Sequence, residues 1–268
     1  MSNLNFTGLA APLSPSCLAS VAASLGVDLA TVWAVISVET RGCGFMADRR
    51  PKILFERHVF SKQTGGRFDA REPGLSNPTP GGYSGSDSGE YDRLNQAMAL
   101  NETAALNSAS WGLAQVMGFN ATSVGYVDAA QMVGRFVQSE DAQLQAMQDF
   151  ISGKGLKPAL RAKQWDKVAL GYNGSNYAIN QYDQKLAHFY ARYSVGPLPD
   201  LHVRAVQMAL VFNGDNNVGG VDGWFGDKAQ KALLRFQGSA GLPLTGRPDD
   251  LTVAALMRRV GWEGGAVV

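Results

Sequence analysis

Between residues 29 and 41 the sequence reads LATVWAVISVETR, and this stretch constrains the fold more than any other. On a helix, Leu29, Val32, Ile36 and Glu39 fall at spacings of 3, 4 and 3, so one apolar face runs into a carboxylate. Gly42 and Gly44 then break the helix. Part of the surroundings of Glu39 should be poorly hydrated, which disfavours the anion and raises the carboxyl pKa; the negative end of the helix dipole acts in the same direction. The glycines let the chain turn away and leave one side of the carboxyl open. A carboxylic acid kept protonated near neutrality and reachable from a cleft is what a general acid requires. The structural alternative is an ion pair at the end of a buried helix, with Arg41, Arg49, Arg50 and Arg57 as candidate partners.

The rest of the chain is punctuated in the same manner and predicts a mainly α protein. Residues 16–25 form a further helix, joined to the 29–41 helix at GVD. A short apolar piece, PKILFERHVF (51–60), precedes a Gly-, Pro- and Ser-rich loop over 62–91. Loops of such length inside a domain are usually functional or disordered. Its aromatics Phe68, Tyr83 and Tyr91 favour a segment covering a cleft. Helical patterning resumes over 91–106, SASWGLAQVMGFN (108–120) reads as a turn or small hairpin, and 128–152 reads as two helices broken near Ser139. Two more helical segments occupy 157–170 and 175–193. SVGPLPD (194–200) marks a boundary, after which a turn followed by a helix occurs twice, a weak internal duplication.

Composition excludes several classes of function. With 24 Lys+Arg against 23 Asp+Glu, no basic field is present to hold nucleic acid. Cys17 and Cys43 make no disulfide framework and read as buried free thiols, though pairing is open. His58, His188 and His202 are scattered, so neither a metal site nor a cofactor is expected. The N-terminus lacks a basic region before its apolar part and carries Pro12 and Pro15, which does not fit a signal peptide. The apolar run from Cys17 to Val38 raises a membrane-spanning alternative, but Gly26 and Asp28 interrupt it. We expect no stable membrane insertion, a monomer, and synthesis as a soluble cytoplasmic chain.

SVETRGCGFMADRRPKILFERHVF, NPTPGGY and SASWGLAQVMGFN resemble, in that order, the N-acetylmuramidase domain of bacteriophage endolysins. That family is distantly related to goose-type lysozymes and lytic transglycosylases, and the resemblance spans roughly residues 10–194. It implies a lysozyme-like helical catalytic domain with a small hairpin or irregular loop region, and Glu39 as the general acid. SWGLAQVMG resembles the Gly-Leu-x-Gln element that lines the sugar cleft, and GYNGSNY (171–177) the Tyr-Asn-Gly element. Thr40 and Arg41 depart mildly from the family pattern. From about 200 to 260 the chain resembles the small three-helix peptidoglycan-binding domain, through Gln207, Leu210, DGWFG, RFQ, Gly241, Leu242, Thr245, Gly246 and Thr252. The expected organisation is a catalytic domain over 1–194, a linker at 195–200 and a peptidoglycan-binding domain over 201–268.

Hydrolysis of a β-1,4 glycosidic bond needs a proton for the leaving oxygen and a means of steadying the oxocarbenium-like transition state. Glu56 is a candidate second carboxylate, with pairing to Arg57 or His58 as the structural alternative; Glu90 and Asp87 sit in or near the long loop and are candidates to swing over the cleft. Ser110, Gln115 and Asn173 are candidate hydrogen-bond partners for sugar, and Trp111, Tyr172 and Tyr177 candidate stacking surfaces or core residues. In the small module, Asp222 suits a tight turn, while Trp224 and Phe225 are divided between core and wall contact.

The leading expectation is an endolysin cleaving peptidoglycan glycan strands between N-acetylmuramic acid and N-acetylglucosamine. It would accumulate in the host cytoplasm and then be released to the periplasm and cell wall. A lytic transglycosylase forming 1,6-anhydro ends and a non-catalytic wall-binding virion protein stand beside it. An amidase or peptidase lacks a metal set or a nucleophile pair.

Overall fold

Helix boundaries follow local capping chemistry. The computed structural model describes residues 6–40 and 42–262. Helix α1 (Pro15–Leu25) starts with proline, and the Ser14 side chain accepts the Cys17 N–H; it stops at Gly26, whose φ of 68° is the left-handed conformation suited to glycine. Helix α2 (Leu29–Thr40) follows at a bend of 106°. Among the described residues no single helix is long and apolar enough to cross a membrane. Val32, Trp33, Val35 and Ile36 of α2 instead bury in the main core with Leu18, Val21 and Leu25 of α1.

Strand β1 (Ile53–Phe55) leads into α3 (Arg57–Gln63), and after the long loop come α4 (Asp87–Asn107), β2 (Ala109–Trp111) and β3 (Val116–Met117). Helix α4 begins at Asp87, with Ser86 as its cap, four residues earlier than its apolar pattern suggests. The strands form an antiparallel sheet in the order β1-β2-β3, so residues 108–120 do make a hairpin. Ile53 pairs with Trp111 and Leu54 with Ser110. Side chains alternate across a strand, and here Ile53, Phe55 and Trp111 bury in the core while Leu54 and Ser110 line a cleft. Trp111 is fully buried, with its indole N–H on the Leu106 carbonyl, which settles it as core.

Helices α5 (Ala129–Phe136) and α6 (Glu140–Gly153) divide at Ser139, whose hydroxyl caps α6 by accepting the Ala142 N–H. Then come α7 (Lys157–Arg161), α8 (Trp165–Asn173), a 3-10 segment Ser175–Asn180, and α9 (Tyr182–Val195), which packs along α2. The region expected as one helix over 157–170 is therefore two, broken at Ala162–Gln164, where Lys163 takes a φ of 57°.

The long loop is strapped down rather than free. Phe68 stacks on Phe60 with centroids 5.9 Å apart, and Tyr91 is fully buried, so of its three aromatics only Tyr83 is left exposed beside the cleft. Arg57 donates to the Thr79 carbonyl at 2.9 Å and also to those of Pro73 and Pro80. Asp69 accepts from Ser61 and Ser76.

Helices α10 (Leu201–Phe212), α11 (Asp227–Ser239) and α12 (Asp250–Arg259) form the C-terminal part. The repeated turn and helix has a physical basis in two buried glutamines. The side-chain oxygen of Gln207 accepts the N–H groups of Asp222 and Gly223, and its amide donates to Asp222 Oδ1 and the Trp224 carbonyl. Gln237 does the same for the next turn, accepting from Gly246 and donating to Thr245 and Thr252.

These helices share a core with the N-terminal region. Ala10, Cys43 and Phe45 cluster with Val206, Leu210, Leu233 and Leu256, and the Trp262 indole N–H reaches the Leu9 carbonyl at 2.9 Å. Cys17 and Cys43 are buried free thiols in separate clusters.

Candidate active site

Glu39 sits in the last turn of α2, half-buried, at the wall of a cleft of about 540 Å³. Of the expected arginine partners, the three that are described are all engaged elsewhere. Arg50 pairs with Asp48 at 2.7 Å, Arg49 lies over the Phe212 ring, and Arg57 holds loop carbonyls; Arg41 lies outside the described residues. Among the described residues the Glu39 carboxyl has no ion-pair partner and no hydrogen-bond partner. Loss of hydration alone pushes its carboxyl up from 4.5 to about 8, so the protonated form prevails at neutral pH.

The same cleft gathers Glu56, Ser110, Gln115, Tyr172 and Asn173, brought from three separate parts of the chain. Gln115 is held in a left-handed conformation, φ 48°, which is strained for a side chain of this kind. Its oxygen accepts the Ser110 hydroxyl at 2.7 Å, and its amide donates to the Gly112 carbonyl at 2.8 Å. Tyr172 donates to the Ala114 carbonyl and meets Phe150 edge-on at 5.1 Å. Burial, and then the field of Glu39, raise the phenols of Tyr172 and Tyr182. Tyr182 lines the same cleft; its position at the start of α9, past the Tyr-Asn-Gly segment, gave no sequence signal. Phe119, from the end of SASWGLAQVMGFN, and Lys154, which no motif marks, also line the cleft.

Glu56 occupies the residue before α3, but its side chain does not cap that helix and faces the cleft instead. The Tyr83 hydroxyl lies 3.1 Å from each of its oxygens, so the long loop reaches the cleft through this one contact. Burial and then Glu56 push the Tyr83 phenol up to about 12. His58 Nδ1 is 3.1 Å from Glu56 Oε2, without the alignment of a hydrogen bond.

Three expected positions fall elsewhere. Glu90 does not swing over the cleft: it is buried in the first turn of α4, paired with Arg93 at 2.7 Å, and accepts the N–H groups of Phe55 and Ser84. Its role is to tie β1 and the loop to α4. Tyr177 lies in the 3-10 segment and is not part of the cleft lining. Asp87 is exposed at the start of α4.

In the C-terminal helices, Asp222 accepts from Gln207 and from the Trp224 N–H, so it builds the turn. Trp224 packs against the main core with Arg192 over its ring at 5.3 Å. Phe225 is exposed beside Lys228 at a second cleft of about 500 Å³.

A helical domain with a short antiparallel hairpin and a half-buried carboxyl at a helix end beside a cleft is the arrangement of a lysozyme-like glycosidase. Residues 28–194 match the N-acetylmuramidase family, and the chain belongs to that family. Residues 200–256 match a putative peptidoglycan binding domain. The chain is similar to the solved structure of the Burkholderia AP3 phage endolysin, with 42% identity and a TM-score of 0.62; the match covers 68% of this chain and 70% of that one. No curated protein matches the chain significantly. The enzyme is a glycoside hydrolase with the peptidoglycan-hydrolysing activity of an endolysin.

Proposed function

We propose that Glu39 is the general acid that cleaves the β-1,4 bond between N-acetylmuramic acid and N-acetylglucosamine. Its proton passes to the glycosidic oxygen as the bond from the anomeric carbon breaks, and the sugar develops oxocarbenium character. Glu56, on the same cleft, takes the proton of an incoming water whose oxygen bonds that carbon. Ser110, Gln115 and Asn173 offer hydrogen bonds to acetamido and hydroxyl groups. The observation that carries the assignment is a half-buried carboxyl on a sugar-sized cleft with no charged partner among the described residues.

We assign catalysis to residues 1–194 and wall attachment to residues 201–268, joined at 195–200, with the exposed Phe225 cleft as the wall-facing side. Attachment keeps the catalyst close to an insoluble polymer. The protein acts on the cell wall as a monomer after release from the host cytoplasm.

Glu39→Gln tests the assignment. The variant should bind purified walls as the wild type does and fail to solubilise them; undiminished lysis would remove Glu39 as the acid. Mass spectrometry of the wild-type products separates the two chemistries. Hydrolysis gives fragments heavier by one water than the 1,6-anhydro ends of a transglycosylase, in which the sugar's own hydroxyl replaces water and Glu56 loses its role.

A further inference from the structure

The chain leaves Glu39 through a passage clamped from both sides. Gly42 has a φ of 112°, and a Cβ there would lie 2.5 Å from the Val221 carbonyl oxygen of the C-terminal part. A Cβ on Gly44 would lie 2.7 Å from the Leu113 backbone nitrogen and closer still to the Gln143 side chain. The glycines are thus required by close packing on both sides as well as by the turn.

Into this passage α10 sends Arg204, fully buried. Its Nε donates to the Gly42 carbonyl at 2.8 Å and Nη2 donates to the same oxygen. The other edge of the guanidinium meets the Glu140 carboxylate, with Nη2 2.7 Å from Oε1. Glu140, equally buried, accepts the Gly44 N–H at 2.8 Å and the Leu13 N–H at 3.0 Å. One ion pair therefore holds both glycines after Glu39, and half of it comes from the C-terminal helices. A wall anchor working only by proximity needs a linker of suitable length and no buried charge at the joint. Buried ion pairs are poor sources of stability, and their best-attested use is to fix one geometry among several.

We propose that Arg204 is a positioning residue for the reaction: the C-terminal helices hold the end of α2, and with it the Glu39 carboxyl, through the carbonyl of Gly42. The inference rests on Glu39 being the acid. Small displacements of a reacting group cost large factors in rate, so loosening this clamp lowers the chemical step without changing the sugar contacts.

The test uses the full chain and a short soluble glycan of alternating N-acetylglucosamine and N-acetylmuramic acid, on which wall attachment gives no advantage. Arg204→Lys keeps the charge opposite Glu140 but loses the planar fork that reaches Gly42. We expect kcat to fall about tenfold or more, with KM, sedimentation with purified walls and the melting temperature close to wild type. A kcat within twofold of wild type would overturn the proposal. Should Arg204→Lys fail to fold, the Arg204→Met/Glu140→Met pair removes both charges together, and the same loss of kcat at unchanged KM is expected; collapse of this pair as well would make the clamp a requirement of folding and equally overturn the proposal. Glu39→Gln measured in parallel keeps the two claims apart. Full activity there removes the acid assignment, whereas an inactive Glu39→Gln beside a fully active Arg204→Lys removes only the clamp.

Discussion

Two glutamates stand at helix ends near the same passage, and they are opposites. Glu140, at the start of α6, accepts hydrogen bonds from Leu13, Gly44 and Arg204 and sits where a helix N-terminus favours an anion. Glu39, in the last turn of α2, has none of these and faces the unfavourable pole. The same carboxyl is a fixed strut in one place and a proton held at neutral pH in the other. Glu140, the more deeply buried of the two, is engaged in its hydrogen bonds, whereas at Glu39 desolvation acts with nothing to offset it and pushes the carboxyl up.

The largest contrast should come from neutralising each one. Glu39→Gln is expected to lower turnover by roughly 10²–10⁴-fold, the usual share of a general acid. It should also stabilise the protein at neutral pH. Below pH 4.5 both folded and unfolded Glu39 are protonated and the residue contributes nothing. As pH rises from 4.5 to about 8 the unfolded chain releases a proton that the folded one keeps, so wild-type stability falls. The variant should gain about 1–3 kcal/mol at pH 7 and nothing at pH 4, read from urea unfolding at both values. Glu140→Ala should do the reverse, costing about 3–5 kcal/mol at neutral pH because it strands a buried guanidinium. A stable Glu140→Ala protein would break the comparison.

Smaller effects sharpen the site itself. Glu56→Gln should slow hydrolysis roughly 10²-fold if it activates water, with little change in thermal stability. An equal rate would leave Glu56 as a loop contact. Tyr83→Phe removes a single hydrogen bond to Glu56 and is expected to change kcat/KM by only about 2–10-fold, the worth of one such bond.

Much of this was legible before any coordinates, because it is local. Gly26 and Ser139 interrupt the helical pattern where the helices end or begin, and the stripe from Leu29 to Glu39 put that carboxyl at a helix end. The strands, three residues or fewer, are too short to show a period of two, so the hairpin over 108–120 is readable only as an alternative to a turn and the pairing of β1 with it not at all. Glu90 looked like part of a loop because its helix begins in a Ser- and Gly-rich stretch that hides α4's first turn. The Arg204–Glu140 pair joins positions 64 residues apart, and no spacing rule connects them. Gly42 and Gly44 were read as a turn, while much of their reason lies in Val221 and Leu113, which only the folded chain brings near.

Catalysis by this cleft depends on the proton of Glu39. Its ionisation can be followed directly by carboxyl ¹³C NMR of the selectively labelled protein from pH 3 to 10, with Glu39→Gln identifying the resonance. A midpoint near pH 8 is expected. A midpoint near 4.5, the value of an ordinary glutamate, would contradict it.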